Sequence, residues 1–285
     1  MTDIAAQSRA SAPRGLARRL LTRPSFLIGS IVVLFWVVCA LFWPVLVPYD
    51  PFYTDLMVPL KPPSATHWFG TDQLGRDVFS RVLAGARDIL TVAPLATLLS
   101  TVVGTTLGLI MGYAGGLVDE VLSRIVDAVL ALPVVIVALL ALTSIGASMW
   151  TLLLVIGFSF SPIIARTVRA SVLAERQLDY VAAARLRREN HLYTMFVEIL
   201  PNVLGPVMVE MTIRLGYAIF TVATLSFIGF GIQPPSPDWG LSISTNYGLI
   251  GGGYWWTVLF DGLAIATLVV GVNLVADSIQ GALND

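Results

Sequence analysis

The chain has 285 residues, of which 56% are hydrophobic and only 12% are charged, and its formal net charge is −1 at pH 7. The charged share is about half of the ~25% found in an ordinary soluble domain, so the composition predicts a helical protein that crosses a membrane several times. The near-neutral balance excludes a basic surface for nucleic acid. A single cysteine, Cys39, excludes a disulfide framework and a cysteine metal cluster, and its apolar surroundings predict an inert thiol.

Six apolar windows are long enough to cross a bilayer, whose hydrocarbon core needs about 20 residues of helix. The first window is too long for a cleaved signal peptide, and no small-residue cleavage site follows it. We therefore predict an all-α membrane protein with six transmembrane helices. The predicted spans are residues 26–47, 89–113, 121–145, 150–168, 203–230 and 257–279.

The charges in the loops orient these spans, because cytoplasmic loops carry an excess of arginine and lysine. The N-terminal tail, residues 1–25, contains five arginines and no lysine, which predicts a cytoplasmic location. With six spans, the arginine-rich loop at residues 170–200 and the C-terminus fall on the same side. Residues 48–88 then lie outside the membrane, and residues 89–285 form a core with the other five spans.

The second span carries small residues at every fourth position, which places them on one face of a helix. This spacing lets the backbones of two helices approach closely. It predicts either packing within the chain or contact with a second membrane subunit. The series contains Ala96, Ser100, Gly104, Gly108, Gly112 and Gly116, and we assign helix packing to its four glycines.

Ionisable side chains inside a span are costly and therefore indicate functional hypotheses. Glu210 and Arg214 lie four residues apart in the fifth span, in the order that favours an intrahelical ion pair. They either neutralise each other within the bundle or line a path for a charged or zwitterionic solute. The same span contains Gly205, Pro206 and Gly216, which predict a bent helix near the middle of the membrane.

Three other acids lie in or near the spans. Asp127 follows Arg124 by three residues, which predicts an ion pair between them. Asp261 and Asp277 lie near opposite ends of the sixth span, where we expect them at the membrane interfaces.

A polar segment at residues 179–202, called the hairpin below, interrupts the apolar runs. It contains arginines and acids, but its apolar residues recur at helical intervals. The pattern predicts an amphipathic helical hairpin at the cytoplasmic edge of the membrane, offered to a soluble partner. The apolar positions are Val181, Leu186, Leu192, Met195, Phe196 and Ile199.

The sequence lacks the motifs of a catalytic or nucleotide site. Its one lysine, Lys61, precedes a proline, so no Gly-Lys-Ser/Thr phosphate loop is present. His67 and His191 lie on opposite sides of the membrane in the predicted topology and cannot share a metal. No serine lies in a G-x-S-x-G turn. We therefore expect no catalytic residue, no metal site and no cofactor bound by this chain.

Several segments together resemble the membrane-spanning permease subunits of bacterial ABC importers, in particular the C-type subunit of the dipeptide, oligopeptide and nickel group. The stretch HWFGTDQLGRDVFSRVLAGA at residues 67–86 is similar to that group's GTDxxGRDxxSRxxxGA signature. Further matches, in the expected order, are GYAGG (112–116), RIVDAVLALP (124–133), the hairpin, LSFIGFGIQPPSPDW (225–239) and NLVADSIQGAL (273–283).

The resemblance implies a type I ABC importer permease fold with cytoplasmic coupling helices. It implies four kinds of partner: a homologous B-type permease, two cytoplasmic ATPases that bind ATP and Mg, an extracytoplasmic binding protein, and the lipid of the bacterial cytoplasmic membrane, with both termini inside. The cargo would be dipeptides or oligopeptides moved by alternating access; nickel or another small solute is the alternative cargo. A secondary transporter, which should show inverted repeats, and a membrane scaffold are the alternative classes.

The resemblance also implies that residues 175–202 form the family's "EAA" coupling loop, which docks on an ATPase. Carried over position by position, the coupling residues are Tyr180, Ala183, Ala184, Arg185, Leu186, Arg188 and Glu189. Ala182 replaces a frequent Glu of the motif, and Arg188 replaces its usual Gly. Because a left-handed backbone costs a non-glycine residue on the order of 1 kcal/mol, we predict that the turn moves to Glu189 and Asn190.

Residues 233–256, rich in proline, glycine and aromatic residues, are predicted to lie outside the membrane. They suit a gate or a docking surface for the binding protein. The alternative is an aromatic belt at the membrane surface, formed by Tyr254, Trp255 and Trp256.

Overall fold

The computed structural model describes residues 19–284, so residues 1–18 of the predicted tail at 1–25 lie outside the described residues. Within that range the chain is helical, and it forms no strand beyond an isolated bridge between Thr71 and Asp77. The helices are α1 (Pro24–Leu46), α2 (Val78–Ala114), α3 (Gly116–Leu130), α4 (Val134–Ile145), α5 (Met149–Glu175), α6 (Asp179–Leu186), α7 (His191–Tyr193), α8 (Leu200–Phe227), α9 (Trp239–Asn246) and α10 (Trp256–Asn284). A π-helical turn at Thr194–Ile199 joins α7 to α8, and a 3-10 turn at Tyr247–Gly252 follows α9.

Five helical stretches of the described chain are long and apolar enough to cross a membrane. They correspond to five of the six predicted spans. A sixth span is counted only if the bent pair of α3 and α4 is taken as one. The five stretches are Pro24–Leu46, Val78–Ala114, Met149–Glu175, His191–Phe227 and Trp256–Ala282.

The third predicted span, residues 121–145, is wrong as a single straight helix. α3 and α4 meet at an angle of 84° across a short break. Pro133 lies in the break and precedes the first residue of α4. A proline lacks the N–H that the helix needs and disfavours helical geometry in the residue before it, so α3 ends upstream of Pro133.

α2 begins at Val78, well before the start of the predicted second span at residue 89. Asp77 causes this early start, because its carboxylate accepts hydrogen bonds from the backbone N–H of Ser80 at 2.8 Å and from the Ser80 hydroxyl at 2.7 Å. Such a side chain satisfies donors that a helix leaves unpaired at its first turn. The resulting helix has 37 residues and a length of about 55 Å.

α2 and α5 form the most extensive helix pair, and the glycine series lies at their contact. A Cβ added to Gly104 would lie 2.6 Å from the Ser161 carbonyl oxygen, and one added to Gly108 would lie 2.7 Å from the Ala165 carbonyl oxygen. Gly112 is similarly close to Val172, at 2.7 Å. These three glycines therefore pack within the chain, as the first alternative predicts.

The assignment of Gly116 to the same packing is wrong. A Cβ at Gly116 would meet nothing within 4 Å, and its φ of +53° belongs to the left-handed region. Gly115, with φ +66°, has already turned the chain out of α2. Gly116 therefore starts α3, and the four-residue spacing no longer describes one helix face at this point.

Buried apolar side chains form two main clusters. The larger lies among α1, α2, α5, α8 and α10 and contains Cys39 and Trp239. The second lies where α2 and α5 meet the hairpin, and it contains Leu109, Val181 and Ile199. The second cluster attaches the hairpin to the transmembrane body.

α8 runs through Pro206 as one helix. The irregular backbone lies earlier, in the π turn, where the N–H of Leu200 bonds to the carbonyl oxygen of Met195. Gly216, which was also expected at a bend, instead faces Asn273 of α10 closely enough that a Cβ would lie 2.5 Å from its Oδ1.

Candidate functional site

The hairpin folds as two helical arms. α6 is the first arm, and α7, the π turn and the start of α8 form the second. Val181 of the first arm is fully buried and packs in one cluster with Met195 and Ile199 of the second. The segment is thus the amphipathic hairpin that its apolar spacing predicts.

The turn between the arms lies at Arg188, so the predicted shift to Glu189 and Asn190 is wrong. Arg188 has a φ of +55°. Its N–H bonds to the carbonyl oxygen of Arg185 at 3.0 Å, and the N–H of Glu189 bonds to that of Ala184 at 3.2 Å. This pair of bonds is a Schellman motif, which satisfies the last carbonyl groups of a helix.

The turn does not move to Asn190 because Asn190 caps the second arm of the hairpin. Its side chain accepts a hydrogen bond from the N–H of Leu192 at 3.0 Å, with its own φ at −63°. Asn190 therefore caps the second arm, where asparagine is among the most favourable residues. Two satisfied carbonyl groups and a capped helix offset the backbone strain at Arg188.

The predicted coupling residues divide by exposure. Ala184 is fully buried, so its assignment to a docking face is wrong; its small side chain lies inside the hairpin. Leu186 lies at the opposite extreme, with 86% of its surface exposed. The remaining residues, which are partly or fully exposed, are Tyr180, Ala183, Arg185, Arg188 and Glu189.

The hairpin, like the long helices, exposes apolar side chains. Leu192, Tyr193 and Val197 of the second arm are 59%, 44% and 52% exposed, and Leu178 before the first arm is 48% exposed. With Leu186 they expose apolar area on a segment that also carries charged residues. Exposed apolar area rimmed by polar groups is typical of an interaction site.

Polar contacts hold the arms of the hairpin to each other and to α5. The Tyr180 hydroxyl donates to Glu175 at the end of α5 at 2.6 Å, and burial together with this bond raises the pKa of Tyr180 to about 12. Arg187 bridges Glu189 at 3.1 Å and Glu198 at 3.0 Å. Exposed pairs such as these contribute little individually, but together they restrict motion between the arms.

A third set of contacts joins the hairpin to the end of α2. The Tyr113 hydroxyl lies 3.0 Å from His191 Nδ1. Arg176 donates from Nη1 to the carbonyl oxygens of Gly112 at 3.0 Å and Tyr113 at 3.3 Å, which places a cation at the negative end of the α2 dipole. The guanidinium of Arg185 lies 5.2 Å from the centre of the Tyr113 ring.

Two ion pairs connect α3 to α5. Asp127 pairs with Arg166 at 2.5 Å, so the predicted partner Arg124 is wrong. Asp119 is held by Arg169 through two bonds of 2.5 and 2.6 Å. α3 packs along α5, and the cations of α5 are therefore available to both acids.

Glu210 and Arg214 form the predicted ion pair within α8. Arg214 Nε lies 2.7 Å from Glu210 Oε1, and the side chains are only 15% and 11% exposed respectively. The Arg214 guanidinium also lies 5.0 Å from the centre of the Tyr217 ring. The two charges neutralise each other largely inside the chain.

At the opposite end of α2, the signature segment (residues 67–86) joins the helix bundle to residues 48–77. These residues are predicted above to lie outside the membrane and are called the outer segment below. Asp72 accepts from Arg76 Nε at 2.7 Å, while Asp77, the cap of α2, also contacts His67 Nδ1 at 2.8 Å. Arg81 donates to the carbonyl oxygens of Pro51 at 2.9 Å and Ser236 at 3.0 Å. Arg81 thus joins three separate parts of the chain.

Two tryptophans fix the loop between α8 and α10. Trp239 is fully buried and donates to the Val82 carbonyl at 2.8 Å, and Trp256 is 7% exposed and donates to the Thr71 carbonyl at 3.1 Å. The belt prediction is therefore wrong for Trp256, whereas Trp255 is 48% exposed. Asp261 is also buried, at 3% exposure, near the start of α10.

Comparison with known families identifies the chain. A family model described as "Binding-protein-dependent transport system inner membrane component" matches residues 104–285, a range that contains the hairpin. The chain belongs to this family. A second model, "N-terminal TM domain of oligopeptide transport permease C", matches residues 14–63 of the permease. The resemblance inferred from the sequence motifs is confirmed.

Curated relatives match the permease over most of its length. The dipeptide transport system permease protein DppC of Escherichia coli (strain K12) is 40% identical over 266 residues, covering 90% of this chain and 88% of that protein. DppC of Alkalihalophilus pseudofirmus is 38% identical, with 90% and 84% covered. The di/tripeptide transport system permease protein DppC of Pseudomonas aeruginosa is 36% identical, with 90% and 86% covered.

A solved structure shares the fold. The permease matches a chain of the MetNI methionine ABC transporter with a TM-score of 0.57 and 19% sequence identity, covering 71% of this chain and 96% of that one. The prediction of an ABC importer permease fold is confirmed. As a member of its family, the permease is a multi-span protein of the inner membrane.

The sequence reasoning identified the hairpin but missed the structural role of the signature segment. Asp77, Arg81 and Trp239 of the permease hold together the end of the bundle at which α2 begins, but the sequence motifs predicted no structural role for them. A signal was present for Asp77, because an aspartate directly before an apolar helical run is typical of a helix N-cap. No local signal identifies Arg81, whose partners lie 30 and 155 residues away.

Proposed function

We propose that the permease is one of two membrane-spanning subunits of an ATP-driven importer, and that its cargo is dipeptides or oligopeptides. The names of relatives at 36–40% identity support the cargo. The observation that carries the proposal is the hairpin, which presents apolar surface on a chain without a phosphate-binding loop. Energy must then arrive through a separate protein that covers this surface.

The hairpin and both termini would lie in the cytoplasm. The arginines of the N-terminal tail and of the loop at residues 170–200 support this placement, and six spans put the C-terminus on the same side as the N-terminus. Two ATPases would bind ATP and Mg there, and the permease itself would hydrolyse no ATP. A homologous B-type permease would complete the pore, and a binding protein would deliver peptides at the outer segment. The family description, which names binding-protein dependence, supports the last of these partners.

The hairpin would act as a stiff lever. Its buried cluster, the Arg187 bridge and the Tyr180 contact with α5 support this role, because they join the arms to the transmembrane body. Leu186, flanked by Arg185, Arg188 and Glu189, would enter a groove of the ATPase. Closure of the ATPases changes the position of the hairpin only if the two permease states differ in affinity for the ATP-bound form.

We further propose that Glu210 and Arg214 border the solute path. A charge pair in the middle of a span is costly unless it faces the bundle interior or a water-filled cavity, and this supports the placement. A paired acid and base could exchange partners with the termini of a zwitterionic peptide.

Ala183 would serve as a spacer at the hairpin surface, where its small side chain allows close approach of a partner.

Uptake into proteoliposomes tests the cargo. The permease is reconstituted with its B-type partner, the ATPases and the binding protein, and the accumulation of labelled dialanine and trialanine is measured with ATP on the ATPase side. We expect saturable, ATP-dependent uptake, and no accumulation when the ATPases are omitted. Transport of Ni²⁺ without transport of either peptide would contradict the proposed cargo.

A matched pair of variants tests the docking surface. Leu186→Glu places a charge on a side chain that is 86% exposed, and Met57→Glu does the same in the outer segment at an equal exposure of 86%. Burying a leucine contributes about 1.5–3 kcal/mol, so Leu186→Glu should weaken ATPase binding about tenfold to a hundredfold. Equal retention of the ATPases by both variants would refute the docking assignment.

A further inference from the structure

A cavity of about 580 Å³ lies between the end of α2 and the hairpin. Its polar walls are formed by Tyr113, Arg176, Arg185 and His191, which come from four different parts of the chain. Ile110 and Met195 provide apolar walls. The cavity thus has a polar part and an apolar part, and its shape depends on how the hairpin sits against α2.

The polar part carries positive charge without a matching acid. Arg176 and Arg185 both line it, and none of the described residues that line it is acidic. Asp119 lies within electrostatic range of Arg176, but Arg169 holds it through two bonds of 2.5 and 2.6 Å. The cations of the cavity are therefore not neutralised by their surroundings.

Arg185 is the most available of these cations. Within the described chain its side chain has no hydrogen bond and no ion pair, and its contact is the Tyr113 ring at 5.2 Å. Arg187, two residues later, is bonded to both Glu189 and Glu198. A guanidinium has five N–H donors in a planar fork, so all five of Arg185 are open to a ligand.

His191 supplies a second open group. Its Nδ1 is occupied by the Tyr113 hydroxyl at 3.0 Å, which leaves Nε2 free for a ligand. Arg176 uses Nη1 for the carbonyl oxygens of Gly112 and Tyr113 and retains its other N–H groups. A ligand with several acceptor oxygens could therefore contact α5, α6 and α7 at once.

We propose that this cavity binds a phosphate group, carried either by an anionic phospholipid headgroup or by free inorganic phosphate. Arginine forks match phosphate oxygens through paired hydrogen bonds, and basic pockets between transmembrane helices on the cytoplasmic side suit anionic headgroups. The apolar wall of Ile110 and Met195 fits the first methylene groups of a lipid's acyl chains. The inference rests on the proposed function only for the cytoplasmic location of the hairpin.

A bound phosphate would change the attachment of the hairpin. It would join Arg185 of the first arm to His191 of the second arm and to Arg176 of α5 through one anion. The turn at Arg188 lies between these contacts, so the phosphate would hold the hairpin closed against Tyr113. Binding of an anion at this point would therefore stiffen the lever that meets the ATPase.

The test compares wild type with Arg185→Gln in the assembled complex that contains its ATPases. The complex is placed in nanodiscs of equal phosphatidylglycerol and phosphatidylcholine, and the phosphatidylglycerol retained after detergent extraction is counted by native mass spectrometry. In a second arm, inorganic phosphate is titrated in detergent and the shift of the unfolding temperature is measured. Arg124→Gln, at an exposed arginine of α3 that does not line the cavity, is the control.

We expect Arg185→Gln to lower phosphate affinity about tenfold, Arg124→Gln to leave it unchanged, and Arg185→Lys to restore part of it. Retention of phosphatidylglycerol identifies the lipid as the source, and a response to inorganic phosphate alone identifies the free ion. His191→Gln provides a second variant should Arg185→Gln assemble poorly. The proposal is overturned if neither probe depends on Arg185 or His191, or if phosphate binds only after the ATPases are removed.

These readouts measure binding and require no transport. A complex that imports no peptide but retains phosphatidylglycerol through Arg185 would contradict the proposed cargo and support the phosphate site. Peptide uptake together with phosphate binding that does not depend on Arg185 would support the proposed cargo and contradict the phosphate site.

Discussion

Replacing Gly108 by alanine should force α2 and α5 apart. The added Cβ would lie 2.7 Å from the Ala165 carbonyl oxygen and 2.7 Å from Val168 Cβ, whereas ordinary contact begins at 3.4 Å, so the helices must separate by about 3.4 − 2.7 = 0.7 Å. A gap of this size forfeits a quarter to a half of the dispersion energy at neighbouring contacts. Overpacking typically costs about 1–3 kcal/mol, and alanine recovers up to about 1 kcal/mol of helix propensity.

We therefore expect Gly108→Ala to destabilise the permease by about 1–2 kcal/mol, a fall of roughly 2–8 °C in unfolding temperature for a chain of this size. The chain carries its own reporter, because Cys39 is its single cysteine and is only 2% exposed. A thiol-reactive fluorophore added during heating in detergent reacts as unfolding exposes that thiol.

Gly262→Ala is the matched control. Gly262 also lies within a helix, but a Cβ there would meet nothing within 4 Å. Alanine should leave the unfolding temperature unchanged or raise it slightly, since only the propensity gain applies. Equal unfolding temperatures for Gly108→Ala and Gly262→Ala would show that the α2–α5 contact is not as close as described.

Other predictions concern the turn, the charge pair and the outer loop. Arg188→Gly removes the left-handed strain and should raise the unfolding temperature in the Cys39 assay by the equivalent of about 1 kcal/mol; a decrease would indicate that the arginine side chain stabilises the turn. Glu210→Gln leaves a buried arginine unpaired and should destabilise by about 3–5 kcal/mol, whereas adding Arg214→Met should restore most of that loss. If the double variant is stable and transports peptides normally, the path role fails. Trp239→Phe removes a buried donor and replaces a fully buried ring by a smaller one, so it should cost about 1–3 kcal/mol, whereas Trp255→Phe, at an exposed site, should cost little; similar losses would contradict the anchoring role.

The spans and the hairpin were predictable because each rests on a local pattern. A run of about 20 apolar residues and a helical spacing of apolar positions depend only on neighbouring residues. The bend between α3 and α4 had a local signal in Pro133, but the apolar run across it concealed the break. Hydropathy indicates that a segment is surrounded by lipid or protein. It does not indicate whether the helix axis bends within that segment.

The errors share a different cause. The turn forms at Arg188 because Asn190 caps the second arm. Asp127 pairs with Arg166 because α3 packs against α5. Each outcome is decided by a partner distant in sequence or by competition for one residue. Propensity at a single position, such as the preference for glycine at Arg188, does not include that competition.

The length of α2 has a mechanical consequence. One continuous helix reaches from the cap at Asp77, beside the outer segment, to Tyr113, beside the hairpin, and Pro94 lies near its middle. If a rod of about 55 Å rotates about its centre, each degree of tilt displaces both ends by about 0.5 Å in opposite directions. A push at one surface of the membrane would therefore arrive at the other as a movement of similar size and reversed sense.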